Sequence, residues 1–353
     1  MNTQEFITRL PKTDLHVHLD GSLRHSTLLE LADQFECEVP EGVFRETYKS
    51  LEEYLNGFKY TCAVMRDEAS IARITYELCI DAFSEGVYYQ EIRFAPQLLE
   101  HDALNSLQIL MAASDGIKQA EAEFNDKNSA TVDLYRGALI VCAMRFPEQF
   151  ANKSIEAVNT AIAARDELNL PVVAFDLAGA EFGNPAQAHS RAYAIALEAG
   201  LSRTVHAGEA DGAASIADAI TSCHAQRIGH GTHLLQDSDL VMLVRDRDIL
   251  LEVCLTSNMQ TMPHLKDLSE HPFVKFIELD IPFTLATDNR LVSHTTICKE
   301  YQLAAVSAQL SHQQLAKIAR NGFAAMFFPG SSAEASEYKR AVQAEHDKLI
   351  AIC

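Results

Sequence analysis

The chain has no Cys-x-x-Cys pair, no run of about 18 apolar residues and no surplus of basic side chains. Each absence removes a class of protein. Eight cysteines, at positions 37, 62, 79, 142, 223, 254, 298 and 353, are too scattered for a ribbon-type zinc site or a disulfide framework, so reduced thiols are expected. Nothing is expected to span a membrane. Polar and charged residues run through "MNTQEFITRLPK", where a signal peptide needs an apolar core, and the closing "LIAIC" does not carry its cysteine where prenylation needs it. With 29 Lys and Arg against 49 Asp and Glu, the net charge of −20 would repel both a nucleic-acid backbone and an anionic membrane. No Gly-rich phosphate loop follows an early strand, which argues against an open nucleotide-binding sheet. What remains is a cytoplasmic globular protein with a small-molecule partner, its oligomeric state left open.

Short apolar, β-branched runs alternate with longer helical stretches. The strand-like runs are 13–19, 87–95, 134–144, 171–179, 202–209, 227–234, 249–258 and 281–289. Ala-, Leu- and Glu-rich segments of helical period, such as 152–169 and 184–200, lie between them. Strand and helix alternating eight times predict a parallel sheet with crossovers, and at this length a closed (β/α)8 TIM barrel forming one domain over residues 1–353. About seventy residues separate the first two strands. That insertion is expected to be helical and to cover the C-terminal mouth.

Barrel enzymes carry their chemistry at the C-terminal strand ends. Here His16 and His18 end the first strand, His206 and Glu209 the fifth, His230 the sixth and Asp288 the eighth. His-x-His alone is a weak signal, but residues i and i+2 share a face, so both imidazoles can point into the mouth. His16, His18, His206 and Asp288 make a nitrogen-rich set that suits zinc better than calcium or magnesium.

The segments "TDLHVHLDGSL" (13–23), "DLAGAE" (176–181), "HAGE" (206–209), "RIGHG" (227–231), "CLTSN" (254–258) and "TDN" (287–289) closely resemble the adenosine deaminase family, in that order and over nearly the whole chain. The resemblance implies one zinc per chain on His16, His18, His206 and Asp288, and hydrolytic deamination of adenosine, with 2′-deoxyadenosine, to inosine in purine salvage. It also implies roles. Glu209 gives a proton to purine N1, which requires a raised pKa. His230 accepts a proton from the attacking water, or orients it and stabilises the charge that develops. Asp288 binds metal and aims the water, while His18 and Asp20 bind substrate, with Asp20 at the 5′-hydroxyl. The backbone of Gly179 approaches purine N3.

One departure stands out. Where many members of the family read Asp-Asp-Pro, this chain has Asp288-Asn289-Arg290. Asn289 offers purine N7 an amide donor at every pH, so no limb of the pH–rate profile is expected from it. Arg290 suggests only a surface or loop salt bridge. In "SLEEYLNGF" (50–58) a Ser50/Glu53 capping box begins an apolar face resembling the family's pocket-covering helix, so that Leu55 and Phe58 touch the nucleoside. The other ten histidines, His233 and His271 among them, read as structural or solvated. A two-metal hydrolase is disfavoured because no lysine ends the fourth strand. The cytidine-deaminase signature is absent, and an intact acid and ligand set argues against an inactive relative. Adenine or a 5′-modified adenine nucleoside such as 5′-methylthioadenosine is the alternative substrate.

Overall fold

Eight parallel strands form where the apolar runs lie. In the computed structural model, which describes residues 1–127, 134–145, 150–262 and 264–352, they are β1 Lys12–His18, β2 Val87–Phe94, β3 Arg136–Arg145 and β4 Val172–Gly179, then β5 Ser202–Ala207, β6 Arg227–His230, β7 Leu250–Val253 and β8 Phe283–Leu285. Each pairs with the next in sequence order. The circle closes at the mouth through a bridge between Val17 and Asp288, where Asp288 N donates to His16 O at 2.8 Å and His18 N to Asp288 O at 2.7 Å. Asp288 therefore helps to join the two ends of the sheet. No described helix is long and apolar enough to cross a membrane, and Cys353 lies outside the described residues.

Several expectations need correction. The run 249–258 was read as one strand, but β7 stops at Val253 and Leu255–Thr261 is a helix. Thr256, Ser257 and Asn258 carry short polar side chains that compete with a ladder, and here they serve partners outside it. The insertion after β1 is only partly helical. It holds His25–Gln34, Leu51–Leu55 and Phe58–Cys62 before the crossover helix Glu68–Ser84, while most of 35–50 is irregular. The last of these helices begins in a capping box between Asp67 and Ser70, worth about 1 kcal/mol.

The barrel interior holds charges as well as apolar side chains. Arg93 on β2 donates to Asp176 on β4 at 2.9 Å and to Glu252 on β7 at 2.8 Å. Arg227 on β6 donates to the other Glu252 oxygen at 2.7 Å and also to Glu91 on β2. All five are buried. Burial alone would raise the Glu252 carboxyl, but Arg93 and Arg227 outweigh it and hold the group ionised. Below this layer Phe323, Met326, Tyr338 and Val342 pack with Leu15, Tyr89 and Ala138, closing the N-terminal end.

Candidate active site

The ionic layer supports the histidines above it. His16 Nδ1 lies 2.8 Å from Glu252 Oε2, and His206 Nδ1 lies 3.1 Å from Asp176 Oδ2. An ionised carboxylate only accepts, so both rings carry their proton on Nδ1 and present a bare Nε2 to the mouth. His16 Nε2 is buried without a hydrogen-bond partner. His206 Nε2 faces His18 Nε2 at 3.2 Å, and Asp288 Oδ1 lies 3.6 Å from His16 Nε2 and 3.5 Å from His18 Nε2. Nitrogen lone pairs and a carboxylate turned towards one small volume are what a cation needs, and this donor set fits zinc. Of the three strands that bring these residues, only β1 and β8 are neighbours. β5 is across the barrel, and the side chains rather than the strands converge. Asp288 has a φ of +58°, a conformation uncommon for a non-glycine residue, and Ser257 Oγ donates to its Oδ2 at 2.6 Å. Burial would raise its carboxyl, but His16 and His18 hold it well below the carboxylate range.

His230 could join His16 and His206 as a third nitrogen by distance. Its hydrogen bonds argue otherwise. Phe273 N donates to His271 Nδ1 at 3.1 Å, so the neutral His271 ring carries its proton on Nε2, 3.3 Å from Asn258 Oδ1. That orientation turns the Asn258 amide group to His230 Nδ1, 3.0 Å away. Assigned from this chain of donors, neutral His230 bears its proton on Nε2 and has no lone pair for a metal. Burial and then His16 keep His230 well below its ordinary pKa. His271, read as merely structural from sequence, thus sets the tautomer of a site residue. The β6 ending at His230 also means that His233 sits in the turn beyond the strand, where its Nδ1 bonds Gly208 O at 2.9 Å.

Glu209 Oε2 lies 3.5 Å from His230 Nε2. Burial, Asp288 and Glu181 all push the Glu209 carboxyl well above its ordinary value, which favours its protonated form. Its loop is fixed by Glu181, whose carboxylate accepts the backbone N–H groups of Gly208, Glu209, Ala210 and Asp211 at 2.5, 2.9, 2.6 and 3.2 Å. Glu181, Glu252, Asp176, Asn258 and Ser257 were not singled out from sequence. Four of them lie within the quoted segments, and for Asp176 and Glu252 the signal that could have found them is a charged side chain within an otherwise apolar strand.

A cavity of about 290 Å³ opens from these groups and is lined by His18, Asp20, Leu55, Phe58, Gly179 and Asn289 among others. All the expected site residues therefore meet there except His16, which is fully buried behind it. Burial raises Asp20 to about 7, and its Oδ1 has no partner. Gly179 has a φ of +98°, which a side chain would resist. Leu51, Tyr54, Leu55 and Phe58 all line the cavity, with Leu51 and Tyr54 the more deeply buried pair. The expected capping box is only half formed. Ser50 Oγ accepts from Glu53 N at 3.3 Å, but the Glu53 carboxylate accepts from Lys49 N at 2.7 Å instead of from Ser50. Arg290 does make a salt bridge, with Glu85, but it is mostly buried rather than on the surface. Larger clefts at the other end of the barrel contain none of these residues.

The chain matches the family model described as adenosine deaminase over residues 11–337. It is 35% identical over 336 residues to an adenosine deaminase of Clostridium kluyveri, covering 93% of this chain and 92% of that protein. To an adenosine deaminase of Shewanella halifaxensis it is 38% identical over 331 residues, covering 90% and 95%. Among solved structures, the N6-methyl-AMP deaminase of Arabidopsis thaliana superposes with a TM-score of 0.81 at 26% identity, covering 97% and 98%. An adenine deaminase from Arthrobacter aurescens superposes with a TM-score of 0.85 at 22% identity, covering 97% and 99%, and shares the fold.

Proposed function

We propose, on the premise that the chain belongs to the adenosine deaminase family, that one zinc ion held by His16, His18, His206 and Asp288 serves its deamination of adenosine. Membership makes the chain a hydrolase that converts adenosine and water to inosine and ammonia. The observation that carries the metal reading is the pair of bare, buried Nε2 atoms on His16 and His206, each fixed by a carboxylate behind it. Bound there, zinc would act as a Lewis acid that makes a nucleophilic water available at neutral pH.

The protein's own groups supply the proton donor and the charge stabilisation; of the two protons of the water, one returns to Glu209 and the other leaves with the amine as ammonia. Adding oxygen to C6 breaks the C6–N1 double bond, and the electron pair that moves to N1 needs a proton. Glu209, whose protonated form burial and Asp288 favour, supplies it. His230, with its proton on Nε2, donates to the incoming oxygen and stabilises its charge. Its tautomer favours this role over proton acceptance. Asp20 accepts the ribose 5′-hydroxyl, Gly179 lets the ring edge approach, and Leu55 and Phe58 cover the base.

The cavity favours a nucleoside over a nucleotide. No Arg or Lys is among its described lining residues, and the buried Asp20, which on this reading pairs with the 5′-hydroxyl, would meet a 5′-phosphate as a second acid. A phosphate there would lose its hydration without gaining a cation. The expected kcat/KM for adenosine 5′-monophosphate is lower than for adenosine by about a thousandfold. Comparable rates with the two substrates, measured side by side, would remove this reading.

A further inference from the structure

Tyr54 carries a hydroxyl to which the deamination reading gives no role. It stands on the short covering helix Leu51–Leu55, is almost fully buried, and packs edge-on against Tyr48 with ring centroids 5.1 Å apart. The hydroxyl oxygen lies 2.8 Å from Ser293 Oγ and accepts from Asn289 Nδ2 at 2.8 Å. The other end of the Asn289 amide is tucked against Gly21. A Cβ added to Gly21 would lie 1.9 Å from Asn289 Oδ1, and that oxygen is buried without a donor.

This arrangement is asymmetric. An asparagine amide can turn over and exchange its oxygen and nitrogen, and a tyrosine hydroxyl can serve either end. Either hydroxyl of the Tyr54–Ser293 pair can donate; when Tyr54 gives its proton to Ser293, only lone pairs remain for Asn289, and the amide presents its nitrogen to Tyr54, as it does here. One Nδ2 proton then goes to Tyr54. Among the described residues the second has no partner, and Asn289 lines the cavity. Turned over, the same amide would direct an acceptor into the cavity, which repels an acceptor on the base.

We propose that Tyr54 is a positioning residue that, held by Ser293, fixes the Asn289 amide as a hydrogen-bond donor to purine N7. The inference rests on the deamination reading, because it takes Asn289 to face the base. The donor that reads the imidazole ring of the purine is therefore set by the covering helix. A base bound without that helix in place meets an amide free to turn either way.

The test compares competitive inhibition of adenosine turnover by inosine and by 7-deazainosine, which has C–H in place of N7. In the unaltered protein 7-deazainosine should bind about tenfold more weakly, the size of one directed hydrogen bond. Tyr54→Phe should weaken inosine but barely change 7-deazainosine, so that the ratio of the two inhibition constants falls towards one. If Tyr54 only packs the lid, both inhibitors weaken together and the tenfold ratio stays, which overturns the proposal. A ratio near one in the unaltered protein overturns it too, because N7 is then not read by a donor. Ser293→Ala provides a second variant should Tyr54→Phe fold poorly. It frees the Tyr54 proton to bond a turned amide and should lower the ratio without touching the covering helix. Failure of the deamination reading itself looks different: the unaltered protein would then neither turn over adenosine nor bind inosine.

Discussion

Glu209→Gln lowers kcat by about a thousandfold or more while KM for adenosine changes little. The amide matches the carboxyl in size and can still form a hydrogen bond, but it cannot transfer a proton to N1. The pH dependence gives a second, independent reading. Burial, Asp288 and Glu181 raise the Glu209 carboxyl, and a donor must hold its proton, so kcat/KM should fall as pH rises through that elevated value. In Glu209→Gln this alkaline limb disappears. Steady-state rates across pH for both proteins decide the matter. A variant that keeps more than about a tenth of the rate would show that N1 takes its proton elsewhere.

Arg93→Leu destabilises the fold by about 3–5 kcal/mol, because it leaves two buried carboxylates without their shared cation. Arg93 donates to Asp176 and Glu252, and these same carboxylates hold the Nδ1 protons of His206 and His16. The loss should therefore appear twice. Urea unfolding should show the lower stability, and the surviving folded protein should bind zinc about 10- to 100-fold more weakly because the carboxylates behind its ligands are no longer held in place. A loss below about 1 kcal/mol would mean that the carboxylates take up protons at little cost.

That ionic layer was the least visible part of the molecule in its sequence. The strands were found from apolar, β-branched runs, and Glu91, Arg93, Asp176, Arg227 and Glu252 lie within those runs as isolated charges. Nothing in a run says which way such a charge points or which strand brings its partner. The barrel supplies both, by placing β2, β4, β6 and β7 around one interior. The residues proposed to hold the metal and to act as acid were visible for the opposite reason. His16, His18, His206, Glu209, His230 and Asp288 all fall at strand ends, where a parallel barrel collects its polar groups. Boundaries failed where local chemistry overrides hydrophobicity, as at Leu255–Thr261, whose hydroxyl and amide side chains serve Asp288, His230 and Glu300. The tautomer of His230 depends on His271, thirteen positions beyond Asn258 and on no shared strand, so no spacing rule could have linked them.

The central claim, that a single metal at the mouth of this barrel serves adenosine deamination, is tested most directly by a metal titration of activity. Protein stripped with a chelator is returned to zinc in measured steps, and conversion of adenosine to inosine is followed by its ultraviolet spectrum at each step. The account predicts no conversion in the stripped protein and a linear return that levels off at one zinc per chain. Full activity without metal, or a return that needs a second equivalent, would contradict it.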